Sequence, residues 1–221
     1  LVDTFETLSG LEVVGVSQKF GDKADRVVIP NWIDAAIARG AIPAGHCPAT
    51  VHNISQFERH GLSVFVHFRD PRDQVWSLYR WIEEMTEIEK RSMSLLPADY
   101  SERTQEERVR VAFEGFIPQA VRWIRTWKDY IDQKRNAVFI SRYEDFTRDN
   151  AATIRSLLTL CNKTVPPEMI ESVAASKRDA EHHFRQGLVG GWRRQAKSPQ
   201  INAIIDRYWD DEVMGYFGYT R

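Results

Sequence analysis

At 221 residues with 43% apolar content, the chain is long enough to bury a sizeable core, and one domain with insertions is the expected organisation. Lys plus Arg is 30 against 31 Asp plus Glu, which excludes the bulk basic field of a non-specific nucleic-acid or membrane-surface binder and leaves room for a local basic pocket. Cys47 and Cys161 form no metal-ligand spacing and are too few for a disulfide framework, no apolar run approaches the roughly 20 residues that span a bilayer, and Leu1 opens no signal peptide.

In chain order, Leu1 to Ser9 reads as the end of a helix, and Glu12 to Ser17 as a short strand after the Ser9-Gly10 stop. Pro30 opens a second helix that Gly40 ends. Leu62 to Phe68 is apolar on successive residues, as suits a strand covered on both faces in a parallel sheet. A helix from Pro71 to about Arg91 follows, capped by Asp70, with Val75, Leu78/Tyr79, Ile82 and Met85 as its buried stripe. Residues 104 to 133 carry one long amphipathic pattern through Val109, Phe113, Ile117, Val121, Ile124, Trp127 and Ile131, with a kink expected at Pro118. Ala137 to Ile140 is the next strand. Asp149 caps a helix bearing Ile154, Leu157, Leu158 and Cys161, Pro166-Pro167 starts another through Ala175, and Ile201 to Met214 closes the chain as a helix. Strands alternating with long helices predict an α/β fold, a central and mostly parallel sheet flanked by helices, with ligands at the carboxyl ends of the strands. Residues 92 to 104 and 176 to 200 are the long loops, candidates for lids or binding segments.

The chemistry concentrates where the apolar strand Val64-Phe65-Val66-His67-Phe68 runs into Arg69-Asp70-Pro71-Arg72-Asp73 and a helix carrying Ser77. An arginine fork, a hydroxyl and the positive end of a helix dipole are expected to converge there on one phosphate, with Arg72 pairing a neighbouring carboxylate. The stretch resembles the 3′-phosphate motif of sulfotransferases that use 3′-phosphoadenosine-5′-phosphosulfate (PAPS), in which an Arg and a Ser eight residues on grip the nucleotide. Three further stretches resemble the same family in the same order. Gly45-His46-Cys47-Pro48 is similar to its Thr-His-Leu-Pro segment, which implies His46 as the catalytic base; imidazole basicity suits removal of a proton from an acceptor hydroxyl. His52 is the local competitor, and His60 and His67 read as ordinary surface or strand-face residues. Tyr143-Glu144-Asp145 is similar to a Tyr-Glu-Asp motif, which implies Tyr143 beside the adenine. His183 to Trp192 resembles an Arg-Lys-Gly…Gly-Asp-Trp loop, which implies Arg185, Gln186 and Gly187 at the 3′-phosphate, with Gly187 admitting close approach of backbone amides. It departs at Gln186, where the family has Lys, and at Gly191, where it has Asp.

The resemblance covers roughly residues 1 to 217 and implies a P-loop nucleotide-kinase-like sulfotransferase fold. The family's Pro-Lys-Ser-Gly-Thr-Thr loop for the 5′-phosphosulfate is not in the sequence, and Leu1 to Ser9 fits the helix that follows such a loop. Residues 1 to 221 are therefore expected to be a single sulfotransferase domain without its extreme N-terminal strand and that loop. The implied reaction moves a sulfuryl group from PAPS to a hydroxyl, less readily an amine, on a small molecule, glycan or lipid, releases adenosine 3′,5′-bisphosphate (PAP), and needs no metal or nucleic acid. A kinase-like P-loop protein and a non-catalytic nucleotide-binding or scaffold relative are the alternatives. The expected compartment is the cytoplasm, or the lumen for a catalytic domain released from a membrane anchor; oligomeric state and acceptor stay open.

Overall fold

Short polar side chains at helix starts and glycines at helix ends divide the chain in a computed structural model, which describes residues 2–19, 26–93, 95–133, 138–175, 189–196 and 198–221. The elements run α1 (Val2–Ser9), β1 (Val13–Gly15), β2 (Ser17–Lys19), β3 (Arg26–Val28), α2 (Pro30–Ala38), β4 (Ile42–Ala44), α3 (Val51–Arg59) and β5 (Val64–Phe68). They continue through α4 (Pro71–Glu84), α5 (Glu87–Ser92), α6 (Gln105–Asp132), β6 (Val138–Arg142), α7 (Tyr143–Arg148), α8 (Asn150–Leu160) and α9 (Pro167–Ala175). After these come α10 (Gly191–Gln195), α11 (Pro199–Tyr208) and α12 (Asp211–Tyr216). Gly40 ends α2 in the left-handed region at φ +68°, where the N–H groups of Gly40 and Ala41 donate to the Ile37 and Ala36 carbonyls, each at 2.9 Å.

Two stretches read as single helices are each divided. Thr86 accepts the N–H of Glu89 while the Glu89 carboxylate accepts the N–H of Thr86 at 2.7 Å, and this reciprocal cap restarts the helix as α5. At the chain's end, α11 stops at Tyr208 and Asp210 accepts the Val213 N–H to begin α12. The long helix α6 runs through Pro118, and the Gln119 side-chain amide donates to the Gly115 carbonyl at 2.8 Å beside the position where proline lacks an N–H.

The chain forms two compact units, Leu1–Phe68 with Tyr130–Asp179, and Arg69–Asp129 with Ala180–Arg221. In the first, β1 and β4 pair in parallel with Val13 beside Ile42, β5 and β6 pair in parallel with Val64 beside Val138, and β2 and β3 pair antiparallel. The α/β class is present, with the parallel strands of the described residues occurring as two-stranded ladders. Helices α1, α8 and α9 close over Phe5, Leu8, Ile154, Leu158 and Ile170, and a second core gathers Val16, Val28, Ile33, Ala36, Ala41 and Cys47. Each large side chain so removed from water contributes about 1.5–3 kcal/mol.

In the second unit α4 buries Val75, Tyr79 and Ile82, and α6 buries Val109, Phe113, Ile117, Val121, Ile124 and Trp127. The segment at 92–104 contains a 3-10 turn, Tyr100–Glu102, and Tyr100 is buried with its hydroxyl donating to Glu83 at 3.0 Å. Arg108 donates to the same carboxylate from Nε at 3.1 Å and from Nη2 at 2.9 Å. Burial first, then the Glu83 charge, pushes the Tyr100 phenol pKa up, so the phenol stays a donor. Replacing Tyr100 by Phe removes a hydrogen bond to a charged acceptor, and urea unfolding is expected to show a loss of about 1.5–3 kcal/mol with unchanged far-UV circular dichroism.

Candidate functional site

Four consecutive residues, Asp70-Pro71-Arg72-Asp73, build the start of α4. Pro71 presets the first helical position, and Asp70 caps it by accepting the Arg72 N–H at 2.9 Å. The same carboxylate accepts the Arg72 guanidinium, from Nε at 2.9 Å and from Nη2 at 2.7 Å, which is the neighbour pairing expected for Arg72. Arg72 Nη2 also donates to the Thr220 carbonyl at 2.6 Å, and the guanidinium carbon lies 4.8 Å from the Trp192 ring centre and 4.2 Å from that of Trp209. Asp73, 2% exposed, accepts the Gly190 N–H at 2.6 Å and the Trp192 N–H at 3.1 Å. Gly190 sits at φ +72°, where a larger residue is strained. The first turn of α4 therefore holds residues 190–192, which follow the stretch with Arg185, Gln186 and Gly187; those three lie outside the described residues.

Arg69 is half-buried in the residue before this cap, and Ser77 is half-buried six positions beyond Pro71. That separation is about 9 Å along the helix axis. At the positive end of α4 the Asp70 carboxylate accepts one amide, that of Arg72, and is itself paired with the Arg72 guanidinium.

In the first unit, β5 and β6 end in register with Phe68 beside Arg142, and the chain continues to Arg69 from one and to Tyr143 from the other. Tyr143 opens α7 and is half-buried, with the His67 ring edge-on to it at 6.1 Å. His67 is the strand-face residue expected, and it backs Tyr143 while its Nδ1 lies 3.1 Å from Ser141 Oγ and its ring 5.9 Å from Phe146. Asp145 accepts from Arg142 at 2.7 Å and Arg148 at 2.6 Å; the Arg142 hydrogen bond is the chief cause that holds its carboxyl below the usual range. The acid of the Tyr-Glu-Asp stretch is thus an ion-pair partner.

His46 lies between β4 and α3 on a loop anchored on both sides. A Cβ at Gly45 would stand 2.5 Å from Ser17 Oγ and 3.0 Å from Cys47 Sγ, so any larger residue requires those side chains to shift. Cys47 is 4% exposed, and burial pushes its thiol pKa up against the opposing Ser17 hydrogen bond, which keeps it protonated and unreactive. Pro48 is buried, and its carbonyl accepts Asn53 Nδ2 at 2.9 Å. The His46 ring reaches the surface between them. The surrounding protein mass, then the Arg26 charge, pushes its pKa below 6.5 and favours the neutral imidazole that can accept a proton. The other candidates are engaged: His52 Nε2 lies 3.1 Å from the Val28 carbonyl oxygen, and His60 Nε2 faces Asp34 at 2.9 Å.

Asp73, Asn53 and His67 support these positions and were not singled out from the sequence. A carboxylate four residues after Arg69, in the first turn of a helix, and an amide shortly after Cys47-Pro48 are the sequence signals at two of them. Among the described residues, no group of three or more His, Cys, Asp or Glu side chains could hold a metal ion, and no helix is long and apolar enough to cross a membrane.

No family model matches the chain, and no curated protein matches it. Among solved structures, mouse sulfotransferase SULT7A1 complexed with PAP is similar at a TM-score of 0.60 and 15% identity, over 96% of this chain and 77% of that one. The likeness shows a shared α/β fold.

Replacing Asp73 by Ala leaves the Gly190 and Trp192 amides without their acceptor. The expected cost is about 2–4 kcal/mol in chemical unfolding, with faster protease cleavage around residue 190. Asp73→Asn is expected to recover only part of this, because its nitrogen faces a donor.

Proposed function

We propose that this chain is a PAPS-dependent sulfotransferase, a single domain over residues 1 to 221, that moves a sulfuryl group to an acceptor hydroxyl, or less readily an amine, with His46 as general base. The observation that carries the reading is the strand-to-helix junction from Val64 to Ser77, where Arg69 and Ser77 follow a parallel strand in the order and spacing of the sulfotransferase 3′-phosphate motif. A fold shared with a PAP-complexed sulfotransferase supports it. The donors suit the ligand: a guanidinium fork and a hydroxyl for a phosphate dianion, and the Tyr143 face for a purine. Arg185, Gln186 and Gly187 complete the 3′-phosphate contacts in this reading.

The acceptor oxygen gives its proton to the His46 imidazole and forms a bond to sulfur. The bond from sulfur to the bridging phosphate oxygen breaks, and PAP leaves with the electron pair. Positioning and charge stabilisation carry most of the rate, and no step calls for a metal. The acceptor is a small molecule, glycan or lipid bearing the hydroxyl. Neither Cys47 nor Cys161 is in a disulfide, which accords with a cytoplasmic, reducing compartment.

The first test is thermal unfolding with PAP, using ADP and AMP as controls. At a hundredfold excess over its dissociation constant PAP is expected to add about 2.7 kcal/mol, roughly 5–10 °C for a chain of this size. No shift with PAP would sink the reading. Arg69→Ala is expected to weaken PAP binding by about 1.5–3 kcal/mol. His46→Ala is expected to keep the PAP shift and lose about 10²–10⁴-fold in kcat. Because the His46 pKa is lowered, the neutral base persists to more acidic pH; the acid limb of kcat/KM is expected below 6.5 and to move up in Arg26→Gln.

A further inference from the structure

One side chain outside the motifs links β3 to the loop that carries His46. Asn53 is 1% exposed in the first turn of α3, where its own N–H donates to the Thr50 cap. Its Oδ1 accepts the Val28 N–H at 2.8 Å, and its Nδ2 donates to the Arg26 and Pro48 carbonyls, each at 2.9 Å. Both amide protons and one lone pair are used, each on backbone. Two of these bonds hold β3, the strand that presents Arg26; the third holds the residue two positions after His46. On the other flank the Cys47 thiol is hydrogen-bonded to Ser17 on β2, and the Gly45 backbone passes close to the same side chain. An exposed imidazole is thereby carried on a buried, fully bonded support, as precise placement of a reacting group requires and a mere surface histidine does not.

We propose that Asn53 is a positioning residue for His46: its carboxamide ties β3 to the Pro48 carbonyl, so that the Arg26 cation and the His46 imidazole are held as one unit. This rests on the reading of His46 as the base. Among the described residues, the charged or titratable groups around the loop include Arg26 on β3, the Cys47 thiol beside His46, and His52 on α3, whose ring nitrogen is held at the Val28 carbonyl. Of these, Arg26 is the cation that acts on the imidazole.

The test follows the His46 imidazole by NMR titration in the full chain, as wild type, Asn53→Ala, Arg26→Gln and the double variant, with circular dichroism to verify folding. Each single substitution is expected to move the His46 midpoint up toward 6.5, and the double variant to move it by less than the sum, because Asn53 acts partly through Arg26. A folded Asn53→Ala protein whose His46 titrates as in wild type overturns the proposal. Should Asn53→Ala fail to fold, Asn53→Ser, whose hydroxyl is too short to span strand and loop, is titrated in its place. A wild-type measurement stands independently: the Asn53 side-chain amide protons are expected to exchange slowly, and fast exchange overturns the proposal. The titration decides the positioning without reference to turnover, whereas full turnover in His46→Ala would remove the base and with it any catalytic consequence of Asn53.

Discussion

The second unit is organised around two opposite charges buried side by side at the start of α4. Arg72 and Asp73 are each 2% exposed. An isolated charge taken out of water costs several kcal/mol, so neither burial is tolerable unless its partners are in place. Adjacent helix positions point about 100° apart, so the two residues answer to different partners. Arg72 needs Asp70, the Thr220 carbonyl and the two indole faces; Asp73 needs the amides of Gly190 and Trp192. Nearly all of these come from the last thirty or so residues of the chain. The first turn of α4 and the C-terminal segment therefore stabilise each other, and Arg69 directly precedes that bonded turn.

The first unit solves a similar problem without charge. The loop after β4 has to be fixed next to a strand, and the hub that does so is a neutral amide, Asn53. A carboxylate at that position would accept from Val28 but leave the Arg26 and Pro48 carbonyls without donors. Its negative charge would also raise the pKa of a nearby imidazole. Where the supported group titrates, a neutral hub adds no charge to the burial and the Arg26 cation that already act on it. Where the supported groups are backbone amides, as at Gly190 and Trp192, an ionised carboxylate gives the stronger bonds.

Elements with local causes were legible in the sequence. Pro71 after Asp70, Gly40 after α2, Asp149 before α8 and the apolar run of β5 each specify their own conformation, and each appears where expected. The two divided helices were legible in principle, since Thr86-Glu87-Ile88-Glu89 and Asp210 are cap patterns, but apolar periodicity continues across both and hides them. The partners of Asn53, Asp73 and His67 were not legible, although the residue types and positions were. Their roles depend on partners 25, 117 and 74 residues away, and no local pattern encodes such a separation. The motif residues Arg69, Ser77, Tyr143 and His46 were singled out by residue type and order along the chain, a criterion that passes over Asp73 and His67 inside a motif and Asn53 outside the motifs.

The lowered basicity of His46 has the same physical origin as its placement. At pH 7 an imidazole of ordinary pKa is already about three-quarters neutral, so depressing the pKa adds little to the population of active base and lowers its intrinsic strength. Population alone does not account for the arrangement. Burial of the ring is the first cause of the lowered pKa, and the second, Arg26, is carried by the strand that Asn53 holds. A looser loop would give a stronger base in the wrong place. Under the proposed sulfuryl-transfer reading, in which alignment of the attacking oxygen carries most of the rate, a fixed base of lowered basicity is the better arrangement, because misplacement by about 1 Å costs on the order of 10²-fold.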